Sequence, residues 1–297
     1  MEVIKISNVR KSYGKVLALD NLCLTIEQGE IYGFIGPNGA GKSTTIRLLL
    51  NFLHADSGSI SVLGLDPQKD EVPIKKQSGY VSADTFMYPD MKVKDLFHFT
   101  EGFHKINASA KIKSLTEALD IDTNKRFEQL SFGNRKKVSI ACALLHTPKL
   151  IILDEPSNGL DPVIRTNLYE LLKDEQKNGA TIFFSSHVLS EVQKFCTRIG
   201  LLKEGVLIKE NTSEEFVNVG YRQIRIESNN LPDLAKLKGV AGIEKKQNSI
   251  QFMYSGNPND LIRMLGNVDL ASIHIEEPEL DKIFMHYFTD ERKQNDI

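Results

Sequence analysis

The chain of 297 residues has no tryptophan, only three cysteines, and no excess of charge in either direction. Lys plus Arg number 37 against 39 Asp plus Glu, a net charge of -2, so no global basic field points to nucleic acid and no acidic excess points to disorder. Cys23, Cys142 and Cys196 are far apart, odd in number, and each stands among apolar residues. That pattern predicts buried thiols in a reducing compartment rather than a disulfide framework or a metal site. The longest apolar runs, at 140–145 and 150–153, fall far short of the roughly 18 residues a membrane span needs. Residues 1–11 alternate apolar and polar side chains and lack the apolar block of a secretion signal. The expectation is a chain that stays in water by itself.

At roughly 150 residues per domain the length predicts about two domains. Three short apolar runs, 31–35, 150–153 and 181–184, are each followed by a loop and then by a helical pattern. Such runs read as parallel strands covered on both faces, the core of an α/β fold. The first leads into a helix over 42–51 with Ile46, Leu49 and Leu50 in phase. The second leads to the cap and proline of Asp161-Pro162, and Ile164, Leu168, Leu171 and Leu172 continue one face. The third passes through His187 into Val188, Leu189, Val192 and Phe195. Each loop follows the carboxyl end of a strand, where open α/β sheets place their ligands.

Between about 84 and 148 the pattern turns helical, with candidate helices at 93–102, 107–119 and 132–146, an insertion between core strands. From about 221 the character changes: Ile224/Ile226, Ile250/Phe252/Tyr254 and Ile273/Ile275 alternate with polar residues, as in an antiparallel sheet with one wet face. A helical stripe of Leu280, Ile283, Phe284, Tyr287 and Phe288 ends the chain. The reading is a main domain over 1–215 and a small α+β accessory domain over 221–297.

The first loop carries the strongest local motif. Gly36-Pro37-Asn38-Gly39-Ala40-Gly41-Lys42-Ser43, followed by Thr44, matches the phosphate-binding pattern G-x-x-x-x-G-K-[ST] between a strand and a helix. Glycines allow the backbone to bend round a phosphate chain and aim N–H groups at it, and the helix N-terminus adds positive potential. Lys42 is expected to reach the β- and γ-phosphates and the Ser43 hydroxyl to ligate Mg²⁺. The second run ends in Asp154 and Glu155. Alternation along a strand predicts different tasks for the two, Asp154 toward the metal and Glu155 toward the attacking water. These two elements alone leave ATPase, GTPase and kinase open.

Between them lies Leu130-Ser131-Phe132-Gly133-Asn134-Arg135-Lys136-Lys137, and Ser157-Asn158-Gly159-Leu160-Asp161 follows. With His187 after the third run and Tyr13 within Lys11-Ser12-Tyr13-Gly14, the series resembles the nucleotide-binding subunit of ABC transporters over about the first 215 residues. The resemblance implies a P-loop NTPase core with a mainly parallel sheet, an antiparallel N-terminal β-subdomain and a helical insertion, hydrolysing ATP with Mg²⁺. It implies that Tyr13 stacks on adenine and that His187 senses the γ-phosphate. It further implies that Ser131 and Gly133 of the signature segment, with Asp161 of the following loop, serve the ATP of a second ATPase subunit, identical or paralogous. The segment Ile275-Glu276-Glu277-Pro278-Glu279-Leu280 and the residues to Phe284 resemble the extension of ATPases that pair with ABC-2-type exporter permeases. The expected place is therefore the cytoplasmic face of the cell membrane, held by a permease through the helical insertion. There Phe86, Met87, Tyr88, Phe97, Phe99 and Phe103 concentrate apolar area, readable either as core of the insertion or as a groove for the permease. No nucleic acid is expected.

Two departures stand out. The glutamine that usually helps hold metal and water would fall near Ala83, where no glutamine stands and Asp84 is a candidate substitute through water. Phe132 replaces a common signature glycine and Asn134 a common glutamine. Alternative readings are a soluble ABC ATPase acting on ribosomes or DNA, and a weakly hydrolysing regulatory partner.

Overall fold

Alternating burial over the first 27 residues builds a long hairpin, with Ile4, Ile6, Val9, Leu19, Leu22, Leu24 and Ile26 turned inward. The computed structural model describes residues 1–213, 215, 222–234, 237–266 and 268–276, and the chain divides into two units, Met1–Ser213 and Glu214–Ile297. In chain order the first unit runs β1 (Glu2–Tyr13), β2 (Val16–Glu27), β3 (Ile31–Ile35), α1 (Lys42–Leu49), β4 (Ser57–Val62), α2 (Glu71–Lys76), β5 (Ser78–Val81), α3 (Val93–His104) and α4 (Ser109–Ala118). It continues with α5 (Phe132–Leu144), β6 (Leu150–Asp154), α6 (Pro162–Lys177), β7 (Thr181–Ser186), α7 (Leu189–Phe195), β8 (Arg198–Lys203) and β9 (Val206–Thr212).

Strands β2-β1-β4 form a three-stranded antiparallel sheet. The second sheet is six-stranded in the order β5-β6-β7-β3-β8-β9, parallel throughout except at β9. Every residue of β3, β6 and β7 is buried, which is why these strands read as unbroken apolar runs rather than alternations. Phe34 and Phe183 meet across β3 and β7 with ring centroids 5.2 Å apart. Burying each such ring stabilises the fold by roughly 2–3 kcal/mol. Because β6, β7 and β3 are neighbours running in one direction, the loops after them open at one edge.

Helices α3, α4 and α5 occupy the insertion between β5 and β6. The first runs to His104 rather than stopping at 102, ended by left-handed Lys105 at φ 53°, and the third stops at Leu144, with Thr147 left-handed at φ 51°. Of the aromatics crowded in the insertion, Phe97 is core at 1% exposure, because its turn of α3 faces inward with Val93 and Leu96. The expectation for the cysteines also needs correction. Cys142 and Cys196 are buried, and burial pushes the Cys142 thiol up to about 12, but Cys23 is exposed. It occupies an outward position of β2 between inward Leu22 and Leu24, and its sulfur exchanges 3.2 Å hydrogen bonds with Asn8. Apolar neighbours in a strand belong to the opposite face.

Where α3 and the segment after α5 meet, His104 and His146 stack with centroids 3.9 Å apart. Burial lowers the His146 pKa from the ordinary 6.5 to about 4, and His104 and Lys111 add to the effect. Through that window the unfolded chain binds a proton that the folded chain excludes, so this contribution to stability is complete above 6.5 and lost as pH falls toward 4. Thermal melting is expected to move down across the same interval, and His146→Gln to flatten that part of the profile; an identical profile in the variant would refute it.

The second unit contains β10 (Arg222–Glu227), β11 (Val240–Lys245), β12 (Ser249–Tyr254), α8 (Pro258–Leu265) and β13 (Ser272–Glu276). Its antiparallel sheet has the order β11-β12-β10-β13. Ile224, Ile226, Ile250, Phe252 and Tyr254 pack with Leu261 and Leu265, while Ile273 and Ile275 on edge strand β13 are exposed. The expected stripe from Leu280 to Phe288 lies outside the described residues.

Candidate functional site

The loop after β3 closes on Gly41, which caps α1 in a left-handed conformation at φ 111°. A Cβ there would meet Ala18 O and Leu19 Cδ2 at 2.7 Å, so both backbone and space demand glycine. No acidic residue stands in the first turn of α1, so nothing on that turn neutralises the positive helix end. Lys42 is buried and folds back over the loop: Nζ donates to Gly36 O at 2.6 Å and to Pro37 O at 3.3 Å, and lies 3.4 Å from Glu155 Oε1.

Asp154, the last residue of β6, is buried and accepts two hydroxyl protons, from Ser43 at 2.8 Å and from Ser185 at 2.6 Å. Glu155 then leaves the strand with φ 48°, a left-handed value that costs a non-glycine residue of order 1 kcal/mol. Its N–H donates to Ser185 O and Ser185 Oγ, each at 3.2 Å, which anchors the turn. The two carboxylates therefore diverge because the chain turns between them, and not through strand alternation as the sequence suggests. Glu155 Oε2 lies 2.7 Å from His187 Nδ1. Among the described residues no group donates a hydrogen bond to its buried Oε1, whose neighbour is the Lys42 amine.

Lys42, Ser43, Asp154, Glu155 and His187 thus form one connected cluster at the carboxyl ends of three adjacent strands. Tyr13, at the end of β1, is 44% exposed with Lys11 Nζ 6.0 Å from its ring centre. Ser131 caps α5, accepting from Asn134 N at 3.3 Å. A Cβ on Gly133 would collide with Gly159 O, so the signature turn and the loop after Glu155 touch through backbone. Asp161 caps α6 by accepting from Val163 N and Ile164 N, and the Ile164 bond is the leading cause of its lowered pKa. Helix capping accounts for this residue in the single chain.

Three participants escape the sequence reading. Ser185 orients Asp154 and pins Glu155; its signal is a polar residue ending an apolar strand. Buried Glu191 accepts from Ser157 Oγ at 2.7 Å and pairs with Arg165 at 2.7 Å, joining α7 to the loop after Glu155. Lys136 is fully buried and donates to Ser82 O at 2.8 Å and Ala83 O at 2.7 Å. Only the tertiary structure reveals the last two.

Comparison with known proteins places this constellation in a family. Residues 19–158 match the family model described as ABC transporter. The bacitracin transport ATP-binding protein BcrA of Bacillus licheniformis is 31% identical over 298 residues, covering 95% of this chain and 96% of its own. The Nod factor export ATP-binding protein I of Burkholderia lata is likewise 31% identical, with 95% of each covered. Among solved structures, the dimeric bacterial ABC transporter cassette MJ0796 is 25% identical with a TM-score of 0.65, covering 71% of this chain and 98% of that one. With the phosphate loop, the paired carboxylates and the histidine assembled as described, the chain belongs to the ABC transporter family as an ATP-binding, ATP-hydrolysing subunit.

Proposed function

We propose that this ABC ATPase powers a membrane exporter as one of two ATPase chains that bind two ATP molecules between them and act on a separate ABC-2-type permease. The observation that carries the reading is the connected cluster of Lys42, Ser43, Asp154, Glu155 and His187. Backbone N–H groups of the 36–41 loop, Pro37 excepted, with Lys42, Ser43 and Thr44, surround the triphosphate, and the Lys42 amine exchanges the carbonyls of Gly36 and Pro37 for phosphate oxygens. Ser43 and Asp154 present only hard oxygen donors, already 2.8 Å apart, which suits Mg²⁺. Bound there, Mg²⁺ neutralises charge on the phosphate oxygens. Glu155 takes the proton of the attacking water on the oxygen that accepts no hydrogen bond, and His187 fixes the other carboxylate oxygen. The exposed face of Tyr13 offers an aromatic surface for adenine.

Ser131 and Gly133 open a helix whose first turn carries no acid, a fit for the outer phosphate held by a second chain. Nucleotide then shifts the pair from open to closed through contacts made only when closed. The test is the oligomeric state of the Glu155→Gln protein at high concentration: MgATP is expected to convert monomer to dimer on a sizing column, and a persistent monomer overturns the paired reading.

Among the described residues no helix is long and apolar enough to cross a membrane, so attachment falls to the permease at the cytoplasmic face. Phe86, Tyr88, Phe99 and Phe103 are exposed, and Tyr88 meets Phe99 edge-on at 5.6 Å. This apolar area supports docking of the permease on the helical insertion. Tyr88→Glu is expected to abolish co-purification with the permease while ATP hydrolysis by the isolated chain is kept. Normal assembly of that variant would exclude the patch. The intact cluster around Glu155 weighs against a weakly hydrolysing regulatory partner.

A further inference from the structure

Lys136 stands in the second turn of the signature helix α5, yet its side chain is completely buried. An ammonium removed from water requires partners, and Lys136 finds them in two backbone carbonyls of one loop, Ser82 at 2.8 Å and Ala83 at 2.7 Å. That loop follows β5 and includes the position where the expected glutamine is missing. The ring of Phe132, one turn earlier, lies 5.5 Å from the ammonium and covers it. Phe132 also rests against Gly159, since a Cβ there would meet its Cδ1 at 2.6 Å. Gly159, Phe132, Lys136 and Ser82–Ala83 therefore make one continuous line from the loop after Glu155, through the signature helix, to the loop after β5. Burial lowers the Lys136 pKa, opposed by the charges of Asp154, Asp84 and Glu155.

We propose that Lys136 is a positioning residue that fastens the backbone of 82–83 to the signature helix, so that the two shift as one body when nucleotide closes the pair. The idea rests on the paired reading above and connects the departures at 83 and 132. Without a glutamine side chain at 83 the loop is held by its carbonyls, and Phe132 supplies the apolar cover that a buried ammonium needs. Two charge-assisted hydrogen bonds hold the loop and leave the phosphate cradle untouched.

The test compares Lys136→Met, which keeps the stem and loses the donors, with Lys136→Arg, which restores them. In Lys136→Met, binding of a fluorescent ATP analogue to the monomer is expected to stay within about twofold, while kcat falls about tenfold and the concentration needed for ATP-driven dimerisation in the Glu155→Gln background rises about tenfold. Lys136→Arg is expected to recover both to within about threefold. Parental kcat and dimerisation in Lys136→Met, or a folded Lys136→Arg as impaired as Lys136→Met, would overturn the proposal. A second measurement needs no change at 136: in the Glu155→Gln protein, amide exchange in 82–84 and in 131–136 is expected to slow together on adding MgATP, and slowing in only one segment overturns it. Failure of the Glu155→Gln parent to dimerise at all would instead count against the paired reading.

Discussion

Glu155→Gln is expected to reduce steady-state ATP hydrolysis by about two to four orders of magnitude, the usual contribution of a general base. The amide occupies the same volume, can still meet His187 Nδ1 now 2.7 Å away, and keeps the left-handed turn pinned by Ser185. What it lacks is an oxygen able to take a proton, and the oxygen concerned is Oε1, to which no described group donates a hydrogen bond. Lys42, Ser43 and the loop amides remain, so ATP affinity is expected to change no more than about threefold, since ground-state binding does not use the base. Single-turnover hydrolysis alongside calorimetric titration separates the two quantities. Unchanged turnover would remove Glu155 from its role, whereas loss of binding in parallel with turnover would make it a structural residue of the cradle.

Lys42→Ala is expected to act on binding itself. Charge-assisted hydrogen bonds are each worth about 1.5–3 kcal/mol, so removing the amine should weaken ATP binding by about 10- to 150-fold. The loss is asymmetric, because Gly36 O forfeits its 2.6 Å donor and Glu155 its neighbouring cation in a water-poor site. The loop itself should survive, since Thr45 N and Thr45 Oγ1 hold Gly41 O independently of Lys42. Calorimetry at fixed salt checks the prediction, and full affinity in Lys42→Ala would defeat the cradle as described.

The elements that carry the chemistry were legible because each obeys a local rule. Fully buried β3, β6 and β7 are short unbroken apolar runs, α6 begins with Asp161 and Pro162, and the phosphate loop needs glycine where φ is positive. Burial of individual side chains was less legible. Cys23 departs from the expectation because apolar neighbours along a strand belong to the opposite face, and which of the crowded aromatics are core, as Phe97 is, depends on the turn of the helix each occupies. Glu191 and Lys136 leave no local trace, because a buried charge is explained only by its partners, and these, Ser157 and Arg165 for the one and Ser82 and Ala83 for the other, lie far off along the chain.

Local periodicity and spacing were enough to establish an α/β core with a phosphate loop between a strand and a helix, because strand burial, helix capping and glycine turns depend on neighbours a few residues apart. Strand order was beyond them. That β7 lies between β6 and β3, and so brings Asp154, Glu155 and His187 to Lys42 and Ser43, follows from pairing between segments distant in the chain, Leu150 with Thr181 and Ile31 with Ile182. So does the fastening of Ser82 and Ala83 by Lys136, whose partners are backbone carbonyls that any sequence would supply. A site made of long-range contacts is decided by which faces pack, and packing is a property of the whole fold rather than of any window along the chain.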